Sequence, residues 1–329
     1  MWARRAAWGW LALVAAAGLL GWGLVGPEAA MRLDRTCLNG CAPGVAHPLG
    51  TDALGRDVGL QLAVGAATAL GGGLAAAGLS LLVGLLLGGA AAYLERARPR
   101  GLSARTGLAA AALLVWLAAG AYFGQAPTWW LLHGGLGIAL VAGVSRLPVR
   151  GLRLSPTRVL LAIAELFASV PALLLLLALA AAAWRPGLWQ LVLLYAAVRW
   201  TGFAVLAMQE LRAGLGEAYA AAAARAGASL WRVLALHVLP NAIPPLLVAT
   251  VLSVSGFVVV EGTFAFLGLG LPPELPSWGR LLGQARQLSS AWWLWLWPGT
   301  ALTLTVLALQ TVARGWRRSA GARPAARLP

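Results

Sequence analysis

Long stretches without any charged residue limit what this chain can fold into more than any other feature of its sequence. Residues 6–26, 58–94, 243–260 and 291–313 carry no charge. About 20 consecutive apolar residues cross the hydrocarbon core of a bilayer. Because 60% of the residues are hydrophobic and only 11% are charged, a water-soluble domain could not bury the apolar surface. The sequence therefore predicts an all-α polytopic membrane protein.

Eight transmembrane helices are predicted. Residues 6–26 are longer than the apolar core of a signal peptide, which has about 7–15 residues, so we expect an uncleaved anchor. Residues 58–94 are too long for one perpendicular crossing, so we expect their first third to lie along the membrane surface and the crossing to run from about residue 73 to 94. Residues 105–146 are interrupted by Gln125-Ala126-Pro127, which predicts a hairpin of two crossings. The other crossings are expected at 159–183, 188–208, 243–260 and 291–313.

The arginines give this bundle an orientation. When the spans alternate from a cytoplasmic N-terminus, 18 arginines fall on the cytoplasmic side and six outside, while Arg199 lies within a span. This asymmetry agrees with the positive-inside rule and predicts that both termini are cytoplasmic. The outer interface receives the tryptophans that favour the headgroup region, which are Trp129, Trp130, Trp184, Trp189, Trp292, Trp293 and Trp295.

The absence of lysine excludes one function. All 25 residues counted as Lys or Arg are arginine, and a P-loop requires a lysine on the β- and γ-phosphates. This chain is therefore not itself a P-loop ATPase, and any work from ATP must come from another polypeptide. The net charge of +15 does not indicate nucleic-acid binding, because the arginines sort by membrane side and form no stripe.

A polar segment at 209–245 is the longest expected on the cytoplasmic side. Ala220–Ala224 strongly favours a helix, which Gly227 can end, and Ser229 can cap a second helix over 230–239. We expect that helix to stop before Pro240 and Asn241 to cap the next span. The product is a compact element suited to receiving motion from a cytoplasmic partner. A plain loop that only packs remains the alternative interpretation.

A second breaker-rich segment, "FLGLGLPPELPSWGR" at 266–280, lies between the last two spans on the expected outer side. Pro272, Pro273 and Pro276 would make it stiff. Either it folds over the mouth of a pathway, where it gates the pathway or meets a partner, or it is a rigid connector.

Three stretches resemble one family. "GASLWRVLALHVLPNAIPPLLV" (227–248) is similar to the cytoplasmic coupling loop of ABC-importer permeases of the dipeptide/oligopeptide/nickel class, and "FLGLGLPPELPSWGRLL" (266–282) resembles the outer-loop signature of that class. "HPLGTDALGRDV" (47–58) resembles the stretch that follows the first span in the second, C-type, permease subunit. The three occur in the family's order, each on the side that the arginines indicate.

The resemblance implies the transmembrane half of an importer for peptides or similar small solutes, in the bacterial cytoplasmic (inner) membrane and surrounded by lipid. It implies a heterodimer with a homologous second permease subunit, two cytoplasmic ATP-binding-cassette ATPase subunits and an extracytoplasmic substrate-binding protein. It implies alternating access without covalent chemistry, so no catalytic residue, cofactor or metal is expected. The residues expected to couple to the ATPase are Glu217, Ala221, Ala222, Ala223, Arg225, Gly227, Leu239 and Pro240. Candidates for the pathway or gate are Glu165, Glu261, Phe266, Gly268, Pro273 and Trp278.

The sequence departs from the family in two places. The coupling loop of the family begins with Glu-Ala-Ala, whereas Ala221 stands here at the position of the acid, and Glu217 or Arg225 is the candidate substitute. The family usually has six spans, so residues 97–152 are interpreted as an inserted hairpin, with either a lipid-facing packing role or a regulatory one. The expected organisation is an anchor at 1–26, an extracytoplasmic loop at 27–57, a permease core at 58–96 and 153–315 that contains the coupling loop 209–240 and the outer loop 262–290, and a cytoplasmic tail at 316–329.

Several single residues have two interpretations. Cys37 and Cys41 are the only cysteines, and either a disulfide or two free thiols fits an outer loop, whereas a metal site with two ligands does not. Glu165 can line a pathway or support helix packing, and Glu261 can lie simply at the outer interface. His47 begins the family-like stretch and is interpreted as a structural residue, with no metal-ligand or catalytic-triad partner expected nearby. Gly84 and Gly88 have GxxxG spacing, but among 41 glycines chance placement is the favoured interpretation.

A secondary, ion-coupled transporter is the main alternative function. It would need intramembrane ionisable relays, and the spans offer little beyond Glu165 and Arg199. A membrane enzyme is disfavoured because no H-E-x-x-H or G-x-S-x-G motif appears. A purely structural anchor would not need the coupling loop.

Overall fold

The computed structural model describes residues 2–97, 102–103, 153–169, 171, 174, 176, 187–269, 271–288 and 290–321. Within these residues, five helices are long and apolar enough to cross a membrane by length and composition. They are Trp2–Ala30, Val58–Ala97, Leu188–Gly216, Leu230–Phe266 and Trp293–Arg318. The prediction of an all-α polytopic membrane protein is confirmed. Both crossings of the expected hairpin lie outside the described residues.

The elements follow in chain order. They are α1 (Trp2–Leu20), a π turn (Gly21–Val25), α2 (Gly26–Ala30), a 3₁₀ turn (Arg35–Cys37), α3 (Val58–Ala97), β1 (Leu102–Ser103), β2 (Arg153–Leu154), α4 (Pro156–Ala168), α5 (Leu188–Gly216), α6 (Ala218–Arg225), α7 (Leu230–Val233), a second π turn (Leu234–Val238), α8 (Leu239–Phe266), α9 (Trp278–Gln284) and α10 (Trp293–Gly321).

Two expected breaks are absent. Helix α3 runs through 40 residues without the interruption near residue 73 that a separate surface segment would require, so that prediction is wrong. The expected stop before Pro240 is also wrong, because α7, the second π turn and α8 follow one another directly. The amide of Leu239 bonds to the carbonyl of Leu234 across the wider π turn, and Pro240 enters the helix immediately afterwards. A local change of hydrogen-bond register of this kind accommodates a proline without ending the helix.

The crossing expected at 159–183 is described only in part. Helix α4 ends at Ala168, and most of residues 170–186 lie outside the described residues. The strands β1 and β2 pair antiparallel, with Leu102 opposite Leu154 and Ser103 opposite Arg153.

The chain divides into two compact units. The first comprises the described residues within Met1–Gly78, Leu173–Tyr195 and Val248–Pro329. In it, Val14 of α1 and Ala66 and Ala69 of α3 form a buried cluster with Val258 and Trp278. Trp10 also donates a 3.1 Å hydrogen bond from Nε1 to Thr305 Oγ1, so a polar contact accompanies the apolar packing of α1 against α10.

The second unit comprises the described residues within Leu79–Ala172 and Ala196–Leu247. Its core contains Ala91, Leu160, Trp200, Ala204 and Met208. Here α3 meets the backbone of α5 through its glycines, because an added Cβ at Gly84 would lie 2.8 Å from the amide nitrogen of Ala204 and one at Gly88 would lie 3.0 Å from that of Met208. The interpretation of this GxxxG pair as chance placement is therefore wrong, since small residues are what allow two helices to approach so closely.

Candidate functional site

The alanine-rich element, residues 209–240, belongs to the second unit and contains the residues expected to couple to an ATPase. Helix α6 begins after Glu217, whose side chain makes no capping hydrogen bond to it. It ends at Gly227, where φ is +86°, and the amides of Gly227 and Ala228 bond to the carbonyls of Ala224 and Ala223, both at 3.1 Å. This is a Schellman C-cap, which favours glycine at the left-handed position. The predicted end of the helix is confirmed.

The second half of the element begins with the predicted cap. Ser229 Oγ accepts a 3.4 Å bond from the amide of Arg232 at the start of α7. Leu239 and Pro240 do not end a helix but lie at the start of α8. Asn241 lies within α8 and donates from Nδ2 to the carbonyl of His237 at 2.8 Å, so the prediction that it caps a new span is wrong.

Buried contacts hold the alanine-rich element against the end of α5. Ala220, Val233 and Val238 are 3%, 3% and 1% exposed. A Cβ added at Gly214 would lie 2.5 Å from Val238 Cγ1 and 3.0 Å from Tyr219 Oη, so a larger residue there would require these side chains to shift. Close packing at this density leaves the element little freedom to move independently of α5.

The opposite side of the alanine-rich element is open. Ala221, Ala222, Arg225 and Gly227 are exposed, and Ala223 is half-buried. Next to them, Trp231 is 65% exposed while one edge of its ring meets Tyr93, with the ring centroids 6.4 Å apart. We call this set of side chains, Glu217, Ala221, Ala222, Arg225 and Trp231, the coupling surface. Exposed aromatic and arginine side chains are enriched on surfaces that bind another protein.

Glu95, at the end of α3, is a connecting residue that the sequence pattern did not reveal. Its carboxylate accepts hydrogen bonds from Thr157 and from Ser155 Oγ at the start of α4, the latter at 3.4 Å. It also forms a 3.6 Å ion pair with Arg212 of α5. The acid thus joins the ends of three helices, and its separation from those partners along the chain explains why no local motif marks it.

The proline-rich segment, residues 266–280, belongs to the first unit. Helix α8 ends at Phe266, and Gly268 with φ of +77° closes it in a second Schellman cap, in which the amide of Leu269 bonds to the carbonyl of Phe264 at 2.9 Å. The turn over residues 271–275 is held by the four Nη hydrogens of Arg280. They are donated to the backbone carbonyls of Leu271, Pro272, Pro273 and Leu275.

Buried contacts fix the far end of the proline-rich segment. Ser277 Oγ donates a 2.6 Å bond to Glu261 Oε1, and Glu261 is only 1% exposed. Trp278 is 2% exposed and donates from Nε1 to the carbonyl of Leu62 at 2.9 Å, while Thr68 Oγ1 donates to the carbonyl of Pro276 at 3.1 Å. Glu261 is therefore packed inside the chain, and whether it lies at the outer interface or in a pathway stays a prediction.

The other pathway candidates are less connected. Pro273 is exposed and contributes its carbonyl to Arg280, while Phe266 is 38% exposed. Glu165 is exposed on α4 in the second unit. No contact of these residues tests a role in a pathway, so such a role remains a prediction.

The loop 31–57 carries a polar cluster in the first unit. Cys37 and Cys41 form a disulfide, which settles the two interpretations left open by the sequence. His47 bonds from Nδ1 to Asp57 at 2.8 Å and from Nε2 to Asp34 at 3.2 Å, so the expectation that no potential ligand or triad partner lies near this histidine is wrong. The Asp57 carboxylate, followed by Asp34, raises the pKa of His47. Hydrogen bonds from Thr36 and then from His47 lower the pKa of Asp34 to about 2.

Asp34, Cys37 and His47 bring potential metal-ligand atoms within 4.8 Å of one another. The sulfur of Cys37 is bonded to Cys41, however, and a disulfide sulfur does not supply the thiolate that a zinc site requires. The cluster is therefore a structural one that folds the loop.

The chain is similar in sequence to several known proteins. Residues 135–323, more than half of the chain, match the family model described as the binding-protein-dependent transport system inner membrane component. A peptide transport system permease protein of Brucella suis is 42% identical over 100 residues, which are 30% of this chain and 34% of that protein. The di/tripeptide transport system permease protein DppC of Pseudomonas aeruginosa is 34% identical over 167 residues, 50% of this chain and 55% of that protein. A peptide permease protein of Brucella ovis is 35% identical over 156 residues, 46% of this chain and 51% of that protein. The chain thus spans about a third to a half of the length of these relatives.

Proposed function

Because the chain belongs to the family of binding-protein-dependent transport system inner membrane components, we propose that it forms half of the transmembrane pathway of an ABC importer. The cargo class is peptides or similar small solutes, in line with the names of its relatives. The chain contributes no chemistry of its own, and ATP is hydrolysed by separate subunits. This division of labour agrees with the lack of a P-loop lysine in the sequence.

The observation that carries the proposal is the coupling surface. This surface is the open side of the alanine-rich element. The other side of the element packs against the end of a membrane-length helix, through Gly214, Tyr219 and Val238. A partner that grips the surface would therefore move α5 with it, because a close-packed contact transmits displacement rather than absorbing it. A loop that only connects two spans would not need such an anchored, exposed helix.

The proposed assembly contains four kinds of subunit. A homologous second permease completes the pathway, two ATPases dock on the cytoplasmic side, and a substrate-binding protein delivers cargo from outside. The orientation that this requires, with both termini cytoplasmic, is supported by the distribution of arginines along the sequence. The proline-rich segment would then face outward, where Arg280 fixes its shape at the entrance.

Glu217 is our candidate for the acidic contact that Ala221 cannot make. Its side chain is exposed and makes no capping bond to α6, so it remains available to a basic group on the ATPase. Glu217→Ala should reduce the amount of ATPase that co-purifies, whereas Glu274→Ala, an exposed acid on the proline-rich segment, should not. Unchanged retention of the ATPase would exclude this role for Glu217.

Ala222→Trp tests the coupling surface as a whole. A bulky side chain at this exposed position should block docking and abolish ATP-driven uptake in proteoliposomes that contain the assembled transporter, without unfolding the chain. Leu13→Trp is the matched control, since Leu13 is 61% exposed on α1, away from the coupling surface. The proposal fails if Ala222→Trp retains full uptake, or if uptake follows an ion gradient and survives ATP depletion, as a secondary transporter would require.

A further inference from the structure

A cavity of about 400 Å³ opens in the first unit between the end of α8 and helix α9. Its walls include Phe266 and Leu267 on one side and Arg280, Gln284, Arg286 and Gln287 on the other. This volume falls within the range of about 300–1,000 Å³ that is usual for small-molecule sites. Two arginines and two glutamines beside apolar residues make a mixed lining of the kind that binds a small polar ligand.

The cavity carries positive charge. The Nη hydrogens of Arg280 are all donated to backbone carbonyls, which are neutral, so its charge persists and acts through space. Arg286 lies with its guanidinium carbon 5.5 Å from the centroid of the Phe266 ring and is exposed. Among the described residues neither guanidinium forms an ion pair, but Glu261 and the exposed Glu274 act electrostatically on Arg280 and offset part of its field. An incoming carboxylate would therefore meet Arg286 directly, in the added field of Arg280.

The lining also holds an unused acceptor. Within the part of the chain that the structure describes, Gln284 Oε1 has no hydrogen-bond partner, and because it is buried the amide must rotate before a ligand can reach it. Burying a carbonyl oxygen without a hydrogen-bond donor costs free energy. After the amide rotates, a hydrogen bond from a ligand N–H to this oxygen would remove that cost. A free phosphate or sulfate ion would satisfy the arginine but has no N–H group to offer.

We propose that this cavity binds the C-terminal end of a short peptide. The terminal carboxylate pairs with Arg286, the last peptide N–H donates to Gln284, and the final side chain rests on Phe266 and Leu267. A terminal ammonium group would be repelled by the two arginines, which fixes the orientation of the peptide. The inference rests on the proposed function, because it names the cargo end that the permease itself recognises at the proline-rich segment.

The test uses the full-length chain in lipid nanodiscs and saturation-transfer NMR, which detects weak binding. The probes are Ala-Ala-Ala with a free C-terminal carboxylate and the same tripeptide with a C-terminal amide. We expect transfer to the free acid and binding of the amide that is weaker by about tenfold or more, since charge-assisted hydrogen bonds are the stronger class. Arg286→Gln should remove the preference for the acid, and Gln284→Leu should weaken both probes.

Matched controls and a transport assay separate the outcomes. Arg317→Gln, at the end of α10, removes one arginine away from the cavity and should leave binding unchanged. A variant is used in the binding test only if its melting temperature matches that of the original chain. If Arg286→Gln does not fold, the binding test is made with Gln284→Leu instead. Equal binding of acid and amide, no transfer at millimolar peptide, or unchanged binding in both variants overturns the proposal.

The same variants distinguish this subsite from the proposed function. If Arg286→Gln leaves ATP-driven peptide uptake and binding unchanged, the subsite is wrong and the importer function stands. If the tripeptide binds as expected but uptake is independent of ATP, the importer function is wrong and the subsite stands. If no tripeptide binds and Arg286→Gln instead weakens capture of the substrate-binding protein, the cavity receives a protein carboxylate and the proposal fails.

Discussion

Single polar residues hold the proline-rich segment in place. Glu261 has its carboxylate bonded to Ser277, which lies 16 residues further along the chain, and Arg280 gathers four backbone carbonyls. Each contact satisfies a group that would be costly to bury alone. The segment is therefore shaped by side chains as much as by its prolines, and its role as a gate or as a rigid connector stays a prediction.

His47 should give the loop 31–57 a pH-dependent stability. Because Asp57 and Asp34 raise the pKa of His47 above 6.5 in the folded chain, the protonated ring is favoured there. Its contribution is complete below the unfolded value of 6.5 and is lost as the pH rises through the raised folded pKa. Amide exchange in the loop should therefore accelerate as the pH rises through that range, beyond the intrinsic increase of exchange with pH.

Asp57→Asn is the corresponding variant, because it removes the largest cause of the raised pKa. NMR titration of labelled histidine, in a chain with His133→Gln and His237→Gln, should show the His47 pKa moving down toward its ordinary value. An unchanged titration would show that the contact with Asp57 does not set the protonation of this ring.

At the scale of elements, close helix contact depends on a few glycines. Gly84→Ala should destabilise the chain by about 1–3 kcal/mol, the usual cost of overpacking, because its Cβ would enter the backbone of α5 near Ala204. Gly78→Ala on the same helix is the control, since nothing lies within 4 Å of its Cβ position. Unfolding in mixed detergent measures both, and equal stability of the two variants would contradict the close crossing.

Glycine is required at position 227 by the left-handed backbone conformation, not by a lack of space for a side chain. A Cβ there meets nothing within 4 Å, but φ of +86° is unfavourable for alanine by roughly 1–2 kcal/mol. Gly227→Ala should therefore distort the end of α6 and reduce ATPase docking.

Gly216→Ala supplies the comparison for that change. Its Cβ also meets nothing within 4 Å, and its φ is not in the left-handed region. ATP-driven uptake is measured for both variants and compared with that of the original chain. It should fall for Gly227→Ala and stay unchanged for Gly216→Ala. A parallel fall in both, or in neither, would show that the C-cap does not shape the coupling surface.

At the scale of the whole molecule, the proposal depends on sidedness. In a chain with Cys37→Ser and Cys41→Ser, a membrane-impermeant maleimide should label Glu274→Cys in intact cells and Ala222→Cys only after permeabilisation. Both positions are exposed in the structure, and the chain is expressed without the proposed ATPase so that docking does not cover Ala222→Cys. Labelling of Ala222→Cys from outside would place the coupling surface beyond the reach of any cytoplasmic ATPase.

The sequence by itself determined that five apolar runs lie in membrane-length helices, that α6 ends just before Gly227, and that α7 begins after Ser229. These features follow from local composition, because lipid selects apolar runs and a left-handed cap selects glycine. Only the tertiary structure decided the pairing of His47 with two acids, the use of Gly84 and Gly88 against α5, the passage of a helix through Pro240 and the cavity beside Arg286. The contacts join residues that are distant in sequence, so no local sequence pattern marks them. The π turn depends on the packing around it, so it has no sequence pattern either.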